Sequence, residues 1–224
     1  MQVILVRLAK SFGNEELRFV HSTMDKVKKQ LTSQGVQQAI ALRDRLKNHA
    51  IERIFSSPSI PSLNTAQFIA QAHERLNVQK CTEFDEPNMG KWINMSIDEI
   101  KEKYPDKWEK YIDPPPNCGD IMLMPKGETW NQVSKRSIGK LNELAESHNN
   151  ATICIVSHGD LIRVVICALL GLDFCNMWKI KQPNSAINAF SYTGKTTKFE
   201  VIGDVSHLKE IGTQDFDGVE TWWY

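Results

Sequence analysis

The run Val3-Ile4-Leu5-Val6 constrains the fold more than any other segment, because an unbroken branched apolar stretch suits a strand covered on both faces of a sheet. Ala151 to Val156 is a second such run near the far end of the chain, and Ile51 to Phe55 reads as a strand between them. Each precedes a polar turn signal and a helical pattern. Thr32-Ser33-Gln34-Gly35 opens a helix through Ala39, Leu42 and Leu46, with Thr32 or Ser33 as its cap. Ser56-Ser57-Pro58 ends the strand from Ile51 and leads into a helix through Ala66, Ile69, Ala70 and His73. Ser157-His158-Gly159-Asp160 opens a helix from Leu161 to Leu170.

Val78 to Cys81 reads as a short strand, helical pieces are expected from Ile97 to Tyr111, and Glu128 to His148 is the longest helical pattern. Pro114-Pro115-Pro116 removes three consecutive donors and forces a surface loop. Ser185 to Tyr192 and Lys198 to Ile202 alternate like strands, joined at the hairpin signal Thr193-Gly194-Lys195. Strands alternating with helices predict an α/β fold: a three-layer α/β/α sandwich with a mostly parallel central sheet. We expect one domain over residues 1–213 and an aromatic tail over 214–224.

Composition narrows the function. With 41% hydrophobic and 24% charged residues the chain can bury a core, so disorder is excluded as its main state. Lys+Arg and Asp+Glu both number 27, which leaves no net field to hold nucleic acid or an anionic membrane. The apolar stretch from Leu161 to Leu172 carries Arg163 and is too short to span a bilayer, and the N-terminal run lacks a basic leader. A soluble cytoplasmic protein is expected. Five cysteines (Cys81, Cys118, Cys154, Cys167, Cys175) without a C-x-x-C pair suggest neither disulfides nor a zinc site. His21, His49, His73, His148 and His207 lack metal-ligand spacing, so no metal or cofactor is expected.

In sheets of this kind ligands bind beyond the carboxyl ends of the strands. Two segments stand there, Arg7 to Asn14 after the first strand and Ser157 to Asp160 after the later buried one. Around them the sequence resembles the histidine phosphatase superfamily, also called phosphoglycerate-mutase-like. Val6-Arg7 with Asn14 is similar to its R-H-G-[ET] signature with a downstream Asn. Leu31-Thr32, Gly35 and Gln38-Ala39 resemble L-T-x-x-G-x-x-Q-A, and Ser56-Ser57-Pro58 with Thr65-Ala66 resembles S-S-P-x-x-R-x-x-x-T-A. Glu86, Gly90 and Trp92 are similar to E-x-x-x-G-x-W, Gly127-Glu128-Thr129 with Arg136 to G-E-[ST] followed by Arg, and Val156-Ser157-His158-Gly159 to V-S-H-G.

The resemblance implies a phosphohistidine mechanism, in which a histidine after the first strand attacks phosphorus. Two arginines and a second histidine hold the phosphoryl oxygens, and a Glu protonates the leaving oxygen. Fixed cationic donors and a proton for the alkoxide are what that charge development requires. This chain departs from the pattern where it matters most. The nucleophile position is Leu8, which has no lone pair, and the phosphate-binding arginine position is Pro61. Ala9 and Lys10 stand where the family has Gly and an acid.

What remains is Arg7, Asn14 and His158 for anion binding and Glu86 as a vestigial acid, with Lys10 expected to restore one charge near Pro61. The expected function is that of a pseudo-phosphatase: a catalytically impaired protein whose partial pocket binds a phosphorylated or carboxylated small molecule or a protein partner. One alternative is altered chemistry, with His158 or water acting on a substrate held by Arg7 and Lys10 and Glu86 as acid or base. Another is a structural subunit, a homodimer included, that docks through Glu220-Thr221-Trp222-Trp223-Tyr224.

Overall fold

The structure, a computed structural model, describes residues 1–15, 30–74, 76–209 and 211. The aromatic tail and His21 therefore lie outside the described residues.

The first apolar run becomes β1 (Gln2–Arg7), followed by a short turn of helix, α1 (Phe12–Glu15), and by α2 (Ser33–Leu46). Thr32 is the cap of α2, its hydroxyl accepting from the Gly35 N–H at 3.0 Å. β2 (Arg53–Ser56) leads into α3 (Ile60–Ala70), capped by Ser59 and carrying Pro61 in its first turn, where a missing N–H costs nothing. α3 stops three residues short of His73, where the Ala72 and His73 N–H groups tighten onto the Ile69 and Ala70 carbonyls three residues back. β3 (Val78–Lys80) is short, and α4 (Ile97–Lys103) and α5 (Pro105–Ile112) supply the expected helical pieces. α6 (Trp130–Ser147) begins behind a capping box of Thr129 and Gln132, inside the predicted Glu128 to His148 pattern. β4 (Thr152–Ser157), α7 (Gly159–Leu170), β5 (Ile187–Tyr192) and β6 (Thr197–Asp204) follow.

The sheet order is β3-β2-β4-β1-β5-β6, with β3, β2, β4 and β1 parallel and β5 and β6 antiparallel to their neighbours. Side-chain alternation divides the core in two. Ile4, Val6, Cys154 and Val156 pack with Leu42 and Leu46 of α2 and with Ala66 and Ile69 of α3. Val3, Leu5, Ile153 and Ile155 pack into the larger cluster that holds Leu141 of α6 and Ile162 and Val165 of α7. The mostly parallel sheet thus lies between two helix layers, as the apolar runs require. No helix among the described residues is long and apolar enough to cross a membrane.

Gly35 sets the distance between the first turn of α2 and the segment after β1. A Cβ there would overlap the Lys10 carbonyl oxygen, a backbone atom that cannot rotate away. Gly35→Ala should therefore lower stability by about 2–3 kcal/mol, read from the midpoint of urea denaturation.

Candidate functional site

Parallel pairing sets Arg7 opposite Ser157, so the carboxyl ends of β1 and β4 stand side by side. Ser57, one residue beyond β2, joins them through its N–H to the Val156 carbonyl. The rim of the sheet thereby gathers Arg7, Ser57 and His158. Arg7 follows Val3 and Leu5 on the α7 side, and its guanidinium is buried. It donates to the Gln182 carbonyl and lies so near Gly159 that a Cβ on that glycine would come within 3.3 Å of Nε. Arg163 approaches the same glycine, its Nη1 3.0 Å from that Cβ position, and reaches Asp160 at 3.3 Å.

His158 is the residue that precedes α7, and its buried ring meets three partners through Nε2. Ser57 Oγ is at 2.8 Å, Ser59 Oγ at 3.3 Å and Asp85 Oδ1 at 3.6 Å. Nδ1 faces Glu86 Oε2 at 3.7 Å, beyond hydrogen-bond reach. Ser57 has one proton, which goes to Asp85 Oδ1 at 2.8 Å. The short contact between Ser57 Oγ and Nε2 then needs its proton from the ring, so this inventory places a hydrogen on Nε2.

The two neighbouring carboxylates are driven in opposite directions. Burial pushes Glu86 up to about 7, with Asp160 and Asp85 adding to the rise and His158 and Arg7 opposing it. Burial also works against ionised Asp85, but the neighbouring His158 imidazole, the Ser57 hydroxyl and the Glu86 N–H together bring it down to about 2.

The segment carrying both acids is fixed from a distance. Arg136 on α6 donates to the carbonyls of Glu83 (2.7 Å), Asp85 (3.0 Å) and Glu86 (3.3 Å), while Glu128 takes its Nε at 2.8 Å and its Nη2 at 3.0 Å. Ser157 Oγ adds a bond to the Phe84 carbonyl at 2.7 Å. Tyr111 donates to Asp160 Oδ2 at 2.6 Å and holds the first turn of α7.

Of the expected site residues, the structure brings together Arg7, Glu86 and His158. Leu8 is buried in the apolar cluster of Ile4, Val6 and Ala66. Pro61 lies in the first turn of α3, its carbonyl accepting from Thr65 Oγ1 at 2.8 Å. Asn14 Oδ1 accepts from the N–H and hydroxyl of Ser11, both at 3.0 Å, and thus closes its own turn. Lys10 donates from Nζ to Gln34 Oε1 at 3.2 Å and from its backbone N–H to Gln38 Oε1 at 2.9 Å, so both described bonds tie it to α2. Sequence reasoning missed Asp85, Ser57 and Ser59 as contacts of His158, and the clasp made by Arg136. The available signal was adjacency, since Asp85 precedes Glu86 and the serines flank Pro58. Among the described residues no group of three or more His, Cys, Asp or Glu side chains could hold a metal ion.

The family model of the histidine phosphatase superfamily (branch 1) matches residues 3–205. Phosphoserine phosphatase 1 of Hydrogenobacter thermophilus is 29% identical over 94% of this chain and 96% of its own. A probable phosphoglycerate mutase GpmB of Escherichia fergusonii is 29% identical over 93% of this chain and 95% of its own. Among solved structures, Bacillus stearothermophilus YhfR superposes with a TM-score of 0.82 at 23% identity, covering 93% of this chain and 99% of that one, which shows a shared fold.

The raised Glu86 carboxyl makes a pH prediction whose sign is fixed. A group with a higher pKa in the folded than in the unfolded protein lends stability below the unfolded value, near 4.5, and that stability is lost as pH rises through about 7. The side chain is 35% exposed, so water screens part of the effect. Relative to Glu86→Gln, the natural protein should lose about 1–2 kcal/mol between pH 5 and pH 8, measured by denaturation at both pH values.

Proposed function

The chain belongs to the histidine phosphatase superfamily, and from that premise we propose that it binds a small phosphorylated or carboxylated anion at the rim of β1 and β4 without performing phosphohistidine chemistry. One observation carries this reading. The side chain at the family's nucleophile position is Leu8, packed among Ile4, Val6 and Ala66, while Arg7 and His158 stand next to it as buried cationic and hydrogen-bonding groups. A buried arginine at the carboxyl ends of parallel strands is a costly way to fill a core and a suitable way to meet an anion. Pro61 removes a second donor, and losing one preorganised donor typically costs about 10²–10³ in rate.

A second reading has its own support. Glu86, held near neutral pKa, is suited to giving or taking a proton, and relatives such as phosphoserine phosphatase 1 bear the names of enzymes. Water would then be the nucleophile, with Arg7 and His158 holding the substrate.

Hydrolysis of 4-nitrophenyl phosphate separates the two. The purified protein should show no turnover above that of His158→Ala; turnover that vanishes in the variant would establish the second reading instead. Restoring Leu8→His together with Pro61→Arg should raise phosphatase activity by about 10² or more over either single change, because nucleophile and oxyanion donor act on the same transition state.

A further inference from the structure

We propose that the Asp85 carboxylate is an internal anion of the pocket, placed against His158 and Ser57 where a ligand oxygen would otherwise find its donors, and that it restricts the site to singly charged anions. This rests on the pocket reading above and names the class of ligand within it. A carboxylate or another monoanion is accepted; a phosphomonoester dianion is disfavoured.

Three features of the structure support it. First, Asp85 Oδ1 lies 3.6 Å from His158 Nε2, and it takes the proton of Ser57, whose oxygen is itself 2.8 Å from that nitrogen. The imidazole therefore meets the carboxylate both directly and through the serine. Second, the carboxylate is built in. Its Oδ1 also accepts the Glu86 N–H at 2.9 Å, and Arg136 binds the carbonyls on both sides of it, so the backbone cannot carry Asp85 away from the rim. Third, Asp85 is not the sole carboxylate near the cations of the rim: Arg7 and Arg163 converge on Gly159, Asp160 pairs with Arg163, and Glu86 faces His158 at 3.7 Å. Repulsion from a fixed negative charge scales with ligand charge and grows in a partly desolvated recess, so a dianion suffers about twice what a monoanion does. The low pKa of Asp85 is in keeping with a charge present at every physiological pH.

Calorimetric titration at pH 8 with phenyl phosphate, a dianion there, and benzoate, a monoanion, tests the idea on the natural protein and on Asp85→Asn. The natural protein should bind benzoate at least as tightly as phenyl phosphate. Asp85→Asn should tighten phenyl phosphate by about tenfold or more and benzoate by about threefold, the ratio expected when a single like charge is removed. Asp85→Ser, which replaces the carboxylate by a hydroxyl, should repeat the pattern and covers the case in which the amide variant does not fold. If the natural protein binds either anion and neither variant gains for phenyl phosphate, the inference is overturned and the pocket reading stands. Equal tightening of both ligands overturns the discrimination between charges. If phenyl phosphate binds only the variants, the inference is supported and a phosphomonoester is removed from the proposed ligands. If no protein takes up either anion, the pocket reading falls and the inference with it.

Discussion

The parallel pairing of β1 with β4, which sets Arg7 opposite Ser157 and bonds the Leu8 N–H to the Ser157 carbonyl, is the constraint on which the site depends. Because side chains alternate along a strand, this one register decides what each rim residue can touch. Arg7 shares the face of Val3 and Leu5 and meets α7 at Gly159, while Leu8, the next residue, joins Ile4 and Val6 in the cluster under α2 and α3. A slip of one residue would exchange the two, burying a guanidinium under Ala66 and exposing a leucine at the pocket. The buried apolar sets on both faces of β1 and β4 make that slip prohibitive.

The two departures from the family pattern sit where the fold accepts them readily. Leucine at position 8 extends an apolar cluster already present on that face. Proline at position 61 falls in the first turn of α3, where its fixed φ is pre-organised for helix and its carbonyl still accepts from Thr65. A residue change that suits its packing is one that stability does not oppose, whatever it does to the chemistry of the site.

The layers and the sheet were legible because β1 and β4 are apolar on both faces, a pattern only a covered strand explains. Boundaries were less so: α3 ends at Ala70 where the pattern ran on to His73, since the end of a helix depends on local bonds, here the Ala72 and His73 N–H groups closing onto carbonyls three residues back. Arg7 and His158 were legible for a topological reason, Arg7 ending buried β1 and His158 following buried β4. Asp85 was not, because the segment from Cys81 to Gly90 has little regular structure and takes its shape from Arg136, some fifty residues later in sequence. Lys10 shows how sequence proximity differs from spatial proximity. Its charge lies near Arg7 in sequence, yet the chain turns after β1 and its ammonium bonds to Gln34 of α2.

Asp85 and Glu86 are consecutive and chemically almost identical, yet the structure gives them opposite tasks. Asp85 has a hydroxyl, a backbone N–H and the imidazole turned toward it, which hold it ionised with a pKa of about 2. Glu86 stands 3.7 Å from the same imidazole, with Asp85 and Asp160 as like charges nearby, and burial brings it to about 7. At neutral pH this pair thus comprises one permanent negative charge and one carboxyl poised between its two forms. Pairs of carboxyl groups split in this way mark sites where charge and proton are handled separately. In this chain the pair surrounds His158 although the nucleophile position is occupied by leucine. The electrostatic framework of the rim therefore does not depend on the group that would have used it, because it is held by Ser57, Arg136 and the β1–β4 register rather than by residue 8.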